Sequence, residues 1–558
     1  MVRAFFAKAR EIRGMHEAAY LLAAFALLSQ ILALLRDRLF AAEFGASQTL
    51  DLYYAAFRIP DLLFATVASL LSLYALLPVL TELLEKNEGH MIAFMRQTLL
   101  VFFVAMGAIA AVLFIGTPWL VSIVAPGIAE GVARADLILL IRILLLQPIL
   151  LGASNILSSF TQLRHQFFLY SISPLLYNLG IIFGILVLYP ALGIAGLGWG
   201  VVIGAFLHMS LQAPFFLAER AESLPPSQFT RQFSKVLMLS VPRTLALMSG
   251  QIVLLALIAF ASFLSDGSIA VFMFAWNLQA VPLTIIGVSY SVAAFPTLSR
   301  LHAAGERQEF INHIEVALRH ILFWAVPATV LMVVLRAQVV RVILGSGMFD
   351  WDATRLVAAG LALFVISLCA QSITLLIARA YYAAGKTAMP LYFSGFGIVV
   401  SLISAVLLTA LFHELVFARL FLESILRVSD IAGTTVLMLA LAYCLGALVQ
   451  AGVGLYCVAR DFSISLAGVR RLSFQSFAAA VIGGAFCYET LAFFGGIVDI
   501  NTAGGILLQG FFGGVVGIVV TVAVLALLNN EELAETLAAL KRRFKDSEPL
   551  TLEPTDVS

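Results

Sequence analysis

The feature that most constrains the fold of this chain is a series of long apolar runs along almost its whole length. A helix needs about 20 apolar residues to cross the hydrocarbon core of a bilayer, and the runs are of about that length. Of the 558 residues, 62% are hydrophobic and only 12% are charged, too few charges to cover a soluble protein of this size. The pattern predicts an all-α polytopic membrane protein with about 14 transmembrane helices.

Lys and Arg residues are distributed unevenly between the two sides of this series of helices. Most of the 33 Lys and Arg residues lie at the two termini or in the loops after even-numbered spans. Cytoplasmic loops carry such an excess, so we expect both termini to be cytoplasmic. The formal net charge of +1 gives no sign of a nucleic-acid-binding surface.

Two pairs of similar segments indicate an internal repeat. Pro78 aligns with Pro296 at an offset of 218 residues, and Pro174 aligns with Pro390 at an offset of 216. Two six-helix halves of the same orientation would be related by an axis along the membrane normal, as in transporters built from parallel repeats. The predicted organisation is a cytoplasmic basic segment (1–16), an N-lobe (17–220), a cytoplasmic linker (221–235), a C-lobe (236–460), two extra helices (461–528) and a cytoplasmic tail (529–558).

The segment between the first two apolar runs concentrates charge, with seven charged residues from Arg36 to Asp61. Asp51 and Arg58 are seven residues apart, which places them on one helix face, and Pro60 should kink that helix. Ionisable groups at membrane depth usually face a bundle interior or an aqueous cavity. The alternatives are that Arg36 and its neighbours anchor the chain at the interface and that Asp51 caps the second helix.

Three further residues are candidates for the same cavity or for energy coupling. Arg243, just after a proline, could face the cleft from the second half or could be an interfacial anchor. Glu489 could contact substrate or carry a proton. Asn277 belongs to a group of uncharged polar residues for which hydrogen bonding between helices is the default expectation.

One motif is typical of an enzyme. FDWDA contains Asp350 and Asp352 in the spacing of a metal and nucleotide-sugar site. The predicted orientation puts it outside the cell, where nucleotide sugars are absent, and Asp350 also stands where a helix N-cap belongs. No HExxH, GxSxG or P-loop motif occurs in the sequence. We therefore expect a transporter with no catalytic residues, no cofactor and no bound metal.

Several stretches resemble the MurJ/MviN family of lipid II flippases from bacterial inner membranes. They occur in family order between about residues 25 and 460: RDRLFAAEFGASQTLDLYYAAFRIPDLL, LPVLTE, VAPG, SPLLYNLG, GIAGLGWGVVIGAFLH, FPTLSR, GSGMFDWDAT and ARAYYAAGKTAMP. The family belongs to the superfamily of multidrug and polysaccharide exporters. The resemblance implies 14 helices in two lobes with a cationic central cavity, the last two helices forming a groove for a lipid tail.

The match to the family pattern is incomplete at the predicted cavity. The chain keeps charged positions of the pattern at Arg36, Asp37, Asp51 and Arg58. Positions that usually hold arginine are occupied by Gln30, Phe64, Ala65 and Asn277. Paired arginines bind phosphate strongly and with defined geometry, so these replacements leave the cargo open.

The resemblance implies that the chain flips lipid II, a lipid-linked peptidoglycan precursor of the undecaprenyl-pyrophosphate type, across the bacterial inner membrane by alternating access. The expected partners are this substrate, membrane lipids and proteins of cell-wall synthesis. Two alternatives stay open. The cargo could be another polyprenyl-linked glycan or an amphiphile, or the chain could be a non-transporting scaffold of the cell envelope.

Overall fold

The structure is a computed structural model that describes residues 15–71, 73–128, 130–464, 467–499 and 502–545. These residues form 24 α-helices and no β-strand. Ten helices are long and apolar enough to cross a membrane, or eleven when one bent pair counts as a single span. The predicted all-α membrane fold is therefore confirmed. The number fourteen stays a prediction, because two further apolar helices are shorter than a usual span.

The helices of the first half of the chain include several that are interrupted by short breaks or turns. They are α1 (Met15–Phe44), α2 (Gln48–Ala56), α3 (Arg58–Thr66), a 3₁₀ turn (Ala68–Leu71), α4 (Leu73–Lys86), α5 (Glu88–Val124), α6 (Gly131–Leu144), α7 (Leu146–Leu163), α8 (Phe167–Phe183), a π-turn (Gly184–Leu188), α9 (Tyr189–Leu192), α10 (Ile194–Ser210), α11 (Ala213–Leu217) and α12 (Pro226–Ala261).

The second half has the same character and ends in a surface helix. Its elements are α13 (Ser268–Leu283), a π-turn (Thr284–Val288), α14 (Ser289–Ala303), α15 (Arg307–Val334), α16 (Arg336–Leu344), α17 (Trp351–Ile366), α18 (Leu368–Ala383), α19 (Ala388–Glu414), α20 (Val416–Leu426), α21 (Val436–Phe462), α22 (Ala467–Gly495), α23 (Ala503–Leu527) and α24 (Glu531–Lys545).

The second predicted span is not one continuous helix. Helix α2 ends at Ala56, and α3 begins at Arg58. Pro60 has no N–H to bond the carbonyl of Ala56, and its ring crowds that carbonyl, so the helix cannot continue undisturbed. The helix is interrupted three residues before Pro60, at Phe57, while the kink expected at Pro60 stays a prediction. Arg58 therefore occupies the first turn of a new helix.

The turn between α1 and α2 depends on Gly45. Its φ is +61°, a left-handed conformation that residues with a Cβ rarely adopt. A Cβ at this position would also lie 2.8 Å from the carbonyl oxygen of Met348. The glycine is thus required at this turn by its conformation and by the close approach of another segment.

The chain divides into two compact units. The first contains the residues up to 278 together with 340–364 and 387–450. Within it, α8 and α10 pack backbone to backbone, since a Cβ at Gly180 would lie 2.3 Å from the Cα of Gly204. Small residues permit such close helix contacts in membranes, and this packing fixes the helix that carries Tyr177 and Asn178.

The second compact unit contains residues 279–339 and 365–386 and those from 451 onwards. Its α22 and α23 are in close contact, because a Cβ at Gly483 would clash with the Oγ1 of Thr521. The polar tail forms helix α24, whose Glu532 lies 3.4 Å from Arg319. The division into two homologous six-helix lobes stays a prediction.

Candidate functional site

The first unit contains a cavity of about 310 Å³, a size found in small-molecule binding sites. Its walls combine aromatic rings with two arginines and two aspartates. The lining residues are Arg36, Asp37, Phe40, Tyr53, Tyr54, Phe57, Arg58, Asp61, Tyr177, Ile181, Gln251, Leu254, Met273, Trp276 and Asn277. Four of the six predicted cavity residues, Arg36, Asp37, Arg58 and Asn277, are among them.

Arg36 lies near the C-terminal end of α1, and each of its guanidinium nitrogens has a partner. Nε and Nη2 donate to the same carboxylate oxygen of Asp37, at 3.0 and 2.7 Å. Nη1 donates to the side-chain oxygen of Asn178 at 3.1 Å. The other oxygen of Asp37 accepts a hydrogen bond of 3.2 Å from Asn277. These four residues form a closed network between helices, as expected for the uncharged polar residues.

Arg58 is held differently, at the break between α2 and α3. It is only 5% exposed. Its Nε donates to the carbonyl oxygen of Tyr54 at 3.2 Å, and its Nη2 lies 3.2 Å from a carboxylate oxygen of Asp61. Its Nη1 is buried without any hydrogen-bond partner, as is the hydroxyl of Tyr54. Two polar groups in one wall of the cavity are therefore buried and still able to form a hydrogen bond.

A buried donor without a partner costs free energy, so the unpaired Nη1 of Arg58 and hydroxyl of Tyr54 point to a binding role. Most buried polar side-chain atoms in proteins have a partner, and leaving a donor unsatisfied costs roughly 1–3 kcal/mol, more for a charged group. Each of the two groups, the Nη1 of Arg58 and the hydroxyl of Tyr54, can still donate a hydrogen bond to an anionic oxygen. The wall at α2 and α3 is therefore chemically suited to bind a phosphate or carboxylate group.

The described lining carries no net formal charge. Arg36 and Arg58 are balanced by Asp37 and Asp61, so these residues do not by themselves make the strongly cationic cavity that the family resemblance implied. The side chain of Arg243, the remaining predicted cation, lies outside the described residues.

Asp51 is the predicted site residue that the structure places elsewhere. It is absent from the cavity lining and is 5% exposed. Its two carboxylate oxygens accept the backbone N–H groups of Gly267 and Ala270, each at 2.7 Å. It therefore caps α13, where a negative charge also favours the helix dipole. Of this predicted pair only Arg58 lines the cavity, and the break at Phe57 separates the two helices that carry them.

Two other residues proposed from the sequence, Asp350 and Glu489, do not line the cavity. Asp350 accepts the N–H of Ala353 at 2.8 Å and so caps α17, as its position before the helix predicted. Glu489 lies on α22 in the second unit and is exposed, so it is not part of the cavity described here.

The aromatic part of the site was not predicted from the sequence. Tyr53, Tyr54, Tyr177 and Trp276 line the cavity with their rings, and Trp276 packs edge-on against Tyr443 at 4.8 Å. The signal that could have found two of them is the adjacent pair of tyrosines inside the charged stretch. Trp276 directly precedes Asn277 and shows no comparable pattern in the sequence.

Comparisons with known proteins agree with this fold. The family model described as "Lipid II flippase MurJ" matches residues 40–498. The "Lipid II flippase MurJ" of Burkholderia cenocepacia is 27% identical over 373 residues, which cover 64% of this chain and 71% of that protein. The "Probable lipid II flippase MurJ" of Rhizobium tropici is 26% identical over 400 residues, covering 69% and 74%.

Solved structures show the same architecture. One described as "Lipid II flippase MurJ, inward closed conformation" aligns with a TM-score of 0.70 and 20% identity, covering 92% of this chain and 100% of that one. An inward-facing multidrug resistance transporter of the MATE family aligns with a TM-score of 0.64 and 14% identity, covering 78% and 94%. Since the family model covers most of the sequence, this chain belongs to the lipid II flippase MurJ family.

Proposed function

We propose that this chain flips lipid II, a lipid-linked peptidoglycan precursor, across the bacterial inner membrane by alternating access. Membership of the family supports the class of cargo. The observation that carries the proposal is the cavity wall at α2 and α3, where the Nη1 of Arg58 and the hydroxyl of Tyr54 are buried without partners. Transport, rather than catalysis, is the role that such a site supports.

The pyrophosphate of the cargo would bind first to this wall. Arginine forms charge-assisted hydrogen bonds with phosphate oxygens, and the free Nη1 can do so without breaking an existing bond. Asp61 competes for the same guanidinium through Nη2. Because 29% of the Asp61 side chain is exposed, this carboxylate can turn towards water when an anion binds Arg58.

The aromatic walls suit the glycan part of the same cargo. Sugar rings have apolar faces of C–H groups that stack on aromatic rings, and their hydroxyls need nearby polar partners. Tyr53, Tyr177 and Trp276 supply rings, while Asp37 and Asn277 supply polar groups in the same lining. A phosphate-linked sugar therefore matches both kinds of wall.

The proposed energy source of transport is a gradient across the membrane. No nucleotide-binding motif occurs in the sequence, so the proposed energy source is the membrane potential or an ion gradient. Carrying one net charge through 100 mV is worth about 2.3 kcal/mol. Because the described lining is formally neutral, the charge that crosses would be mainly that of the cargo.

Other parts of the chain are assigned by the same proposal. Both termini would lie in the cytoplasm, and residues 17–220 and 236–460 would form the two lobes that alternate. Helices α22 and α23 would hold the lipid tail, with Glu489 on α22 near it. Arg243 would add a second cation for the pyrophosphate, and Asp51 would act by positioning α13.

A second cargo is favoured by the balanced charge of the lining. With Asn277, Phe64 and Ala65 at positions where the family usually has arginine, the site is suited to a less anionic head group. Another polyprenyl-linked glycan or an amphiphile would fit this description. Native mass spectrometry of the lipids that purify with the protein separates this cargo from lipid II.

The proposal is tested by depletion in the native host. Loss of the chain should make the lipid-linked precursor accumulate on the cytoplasmic leaflet, and Arg58→Ala should fail to restore its distribution. Arg220→Ala, which changes an exposed arginine in a loop, should restore it. An unchanged leaflet distribution after depletion would refute the proposed function.

A further inference from the structure

Helix α20 is an eleven-residue helix between two membrane spans. Helix α19 ends at Glu414, and the chain changes direction at Leu415, whose φ and ψ are −89° and 67°. Helix α21, the next span, begins only at Val436. At 27 residues, α19 is about 40 Å long, enough to cross the hydrocarbon core. Helix α20 therefore begins where a span leaves the bilayer.

The two faces of α20 are inverted with respect to a surface helix of a soluble protein. Such a helix turns its apolar face towards the core and its charges towards water. Here Phe417 is 85% exposed and Phe421 is 59% exposed, whereas the charged Glu423 is 2% exposed. The remaining large apolar residues of this outward face are Val416, Leu420 and Ile425.

The polar face of α20 is fixed to the protein. The carboxylate of Glu423 accepts from the Oγ1 of Thr434 at 2.7 Å and pairs with the Nε of Arg419 at 3.1 Å. Thr434 lies just before α21, so these bonds tie α20 to the start of the next span. These bonds fix the orientation of α20, so that its apolar side faces away from the protein.

The apolar face also continues a surface that already faces lipid. The outward side of α19 exposes a row of large apolar residues at helical spacing: Tyr392, Phe396, Val399, Ile403, Val406, Leu407 and Leu411. Leu415 extends the row, and Val416 and Phe417 take it onto α20. Because α19 is a membrane span, the occupant of this continuous surface is the bilayer.

We propose that α20 is an interfacial helix that lies along the bilayer surface at the C-terminal end of α19. Its face of Phe417, Leu420, Phe421 and Ile425 enters the boundary between head groups and acyl chains. Helices of this kind insert their apolar face about 5–10 Å into that boundary. The partner of this surface is thus a lipid leaflet, and the helix fixes the level at which α19 and α21 sit in it.

The test measures which solvent reaches the apolar face of α20. In the full chain, a nitroxide is attached at Phe417→Cys, at Phe421→Cys and, as the matched control, at Ser429→Cys in the exposed loop after α20. The unsubstituted chain, labelled in parallel, gives the background from the native cysteines, three of which are buried. After reconstitution in liposomes, collisions with lipid-soluble oxygen and with a water-soluble nickel chelate are compared.

Labels at 417 and 421 should collide mainly with oxygen, at a depth of about 5–10 Å, whereas the label at 429 should collide mainly with nickel. If the labels at 417 and 421 were as accessible to nickel as the label at 429, the helix would lie in water and the proposal would be wrong. Labels at 417 and 421 that are shielded from both reagents would mean that a protein covers the face, which also overturns it.

Discussion

The end of α1 and the break between α2 and α3 each bring an arginine into the same cavity. The two guanidinium groups differ in how many of their nitrogens have a hydrogen-bond partner. At the end of α1, Arg36 has a partner for every guanidinium nitrogen. At the break, Arg58 is more deeply buried but keeps Nη1 without one. The first region is a closed network that holds helices together. The second is an open one, and under the proposed function this difference would make Arg36 a structural residue and Arg58 a cargo-binding residue.

The largest expected effect comes from opening the closed network. Asp37→Ala leaves the largely buried Arg36 without its carboxylate, which should lower the free energy of unfolding by about 3 kcal/mol. Denaturant unfolding in detergent measures this change. The double variant Arg36→Met with Asp37→Leu should recover most of the loss, because no charge is then left unpaired. A stable single variant would show that Arg36 is not held by Asp37.

Removing the open arginine should affect binding more than stability. Arg58→Ala deletes a charge-assisted donor worth roughly 1.5–3 kcal/mol, so affinity for a polyprenyl-pyrophosphate should fall by about 12- to 150-fold. Binding to the purified chain is measured by titration of the lipid in detergent. Arg58→Lys should recover only part of the affinity, since it cannot reproduce the planar fork. Full affinity in Arg58→Ala would remove the distinction between the two regions.

Asp51 provides a charge outside both regions and so a control for them. Asp51→Ala removes the cap of α13 and should cost about 1–2 kcal/mol of stability, measured by denaturant unfolding in detergent. Asp51→Asn should cost less, because its amide oxygen still accepts one backbone N–H. Affinity for the polyprenyl-pyrophosphate should stay unchanged in the folded protein. A loss of affinity without a loss of stability would mean that Asp51 contributes to cargo binding after all.

The smallest effect is expected from the unpartnered hydroxyl. Tyr54→Phe removes one hydrogen bond to the cargo, worth about 0.5–1.5 kcal/mol, and should weaken binding by about 2- to 12-fold. Stability should be equal or higher, because the empty site no longer buries an unsatisfied hydroxyl. Lipid titration and denaturant unfolding of the same sample give both values. A less stable Tyr54→Phe would mean that the hydroxyl is already used inside the protein.

The charged stretch from Arg36 to Asp61 shows which features of the site could be predicted from the sequence. Arg36 and Arg58 could be predicted to meet in a cavity, because charge at membrane depth needs a polar surrounding. The role of Asp51 could not, since its partners Gly267 and Ala270 are more than 200 residues away and contribute only backbone groups. The difference in hydrogen bonding between Arg36 and Arg58 could not be predicted either, because it depends on the break at Phe57 and on a single unpaired nitrogen.

The aromatic wall and α20 were hidden for a related reason. In a chain this apolar, an aromatic residue such as Trp276 carries no signal of its own, because rings that face lipid, core or cavity look alike in sequence. The inverted faces of α20 become visible only when Glu423 is seen to be buried and Phe417 exposed.

The central claim, that the open arginine at the break carries the cargo, is tested most directly by flipping in reconstituted proteoliposomes. Labelled lipid II placed in one leaflet should become accessible in the other when the unsubstituted chain or Arg220→Ala is present. It should stay where it was placed when Arg58→Ala is present in equal, folded amounts. Equal flipping by Arg58→Ala and the unsubstituted chain would contradict the account.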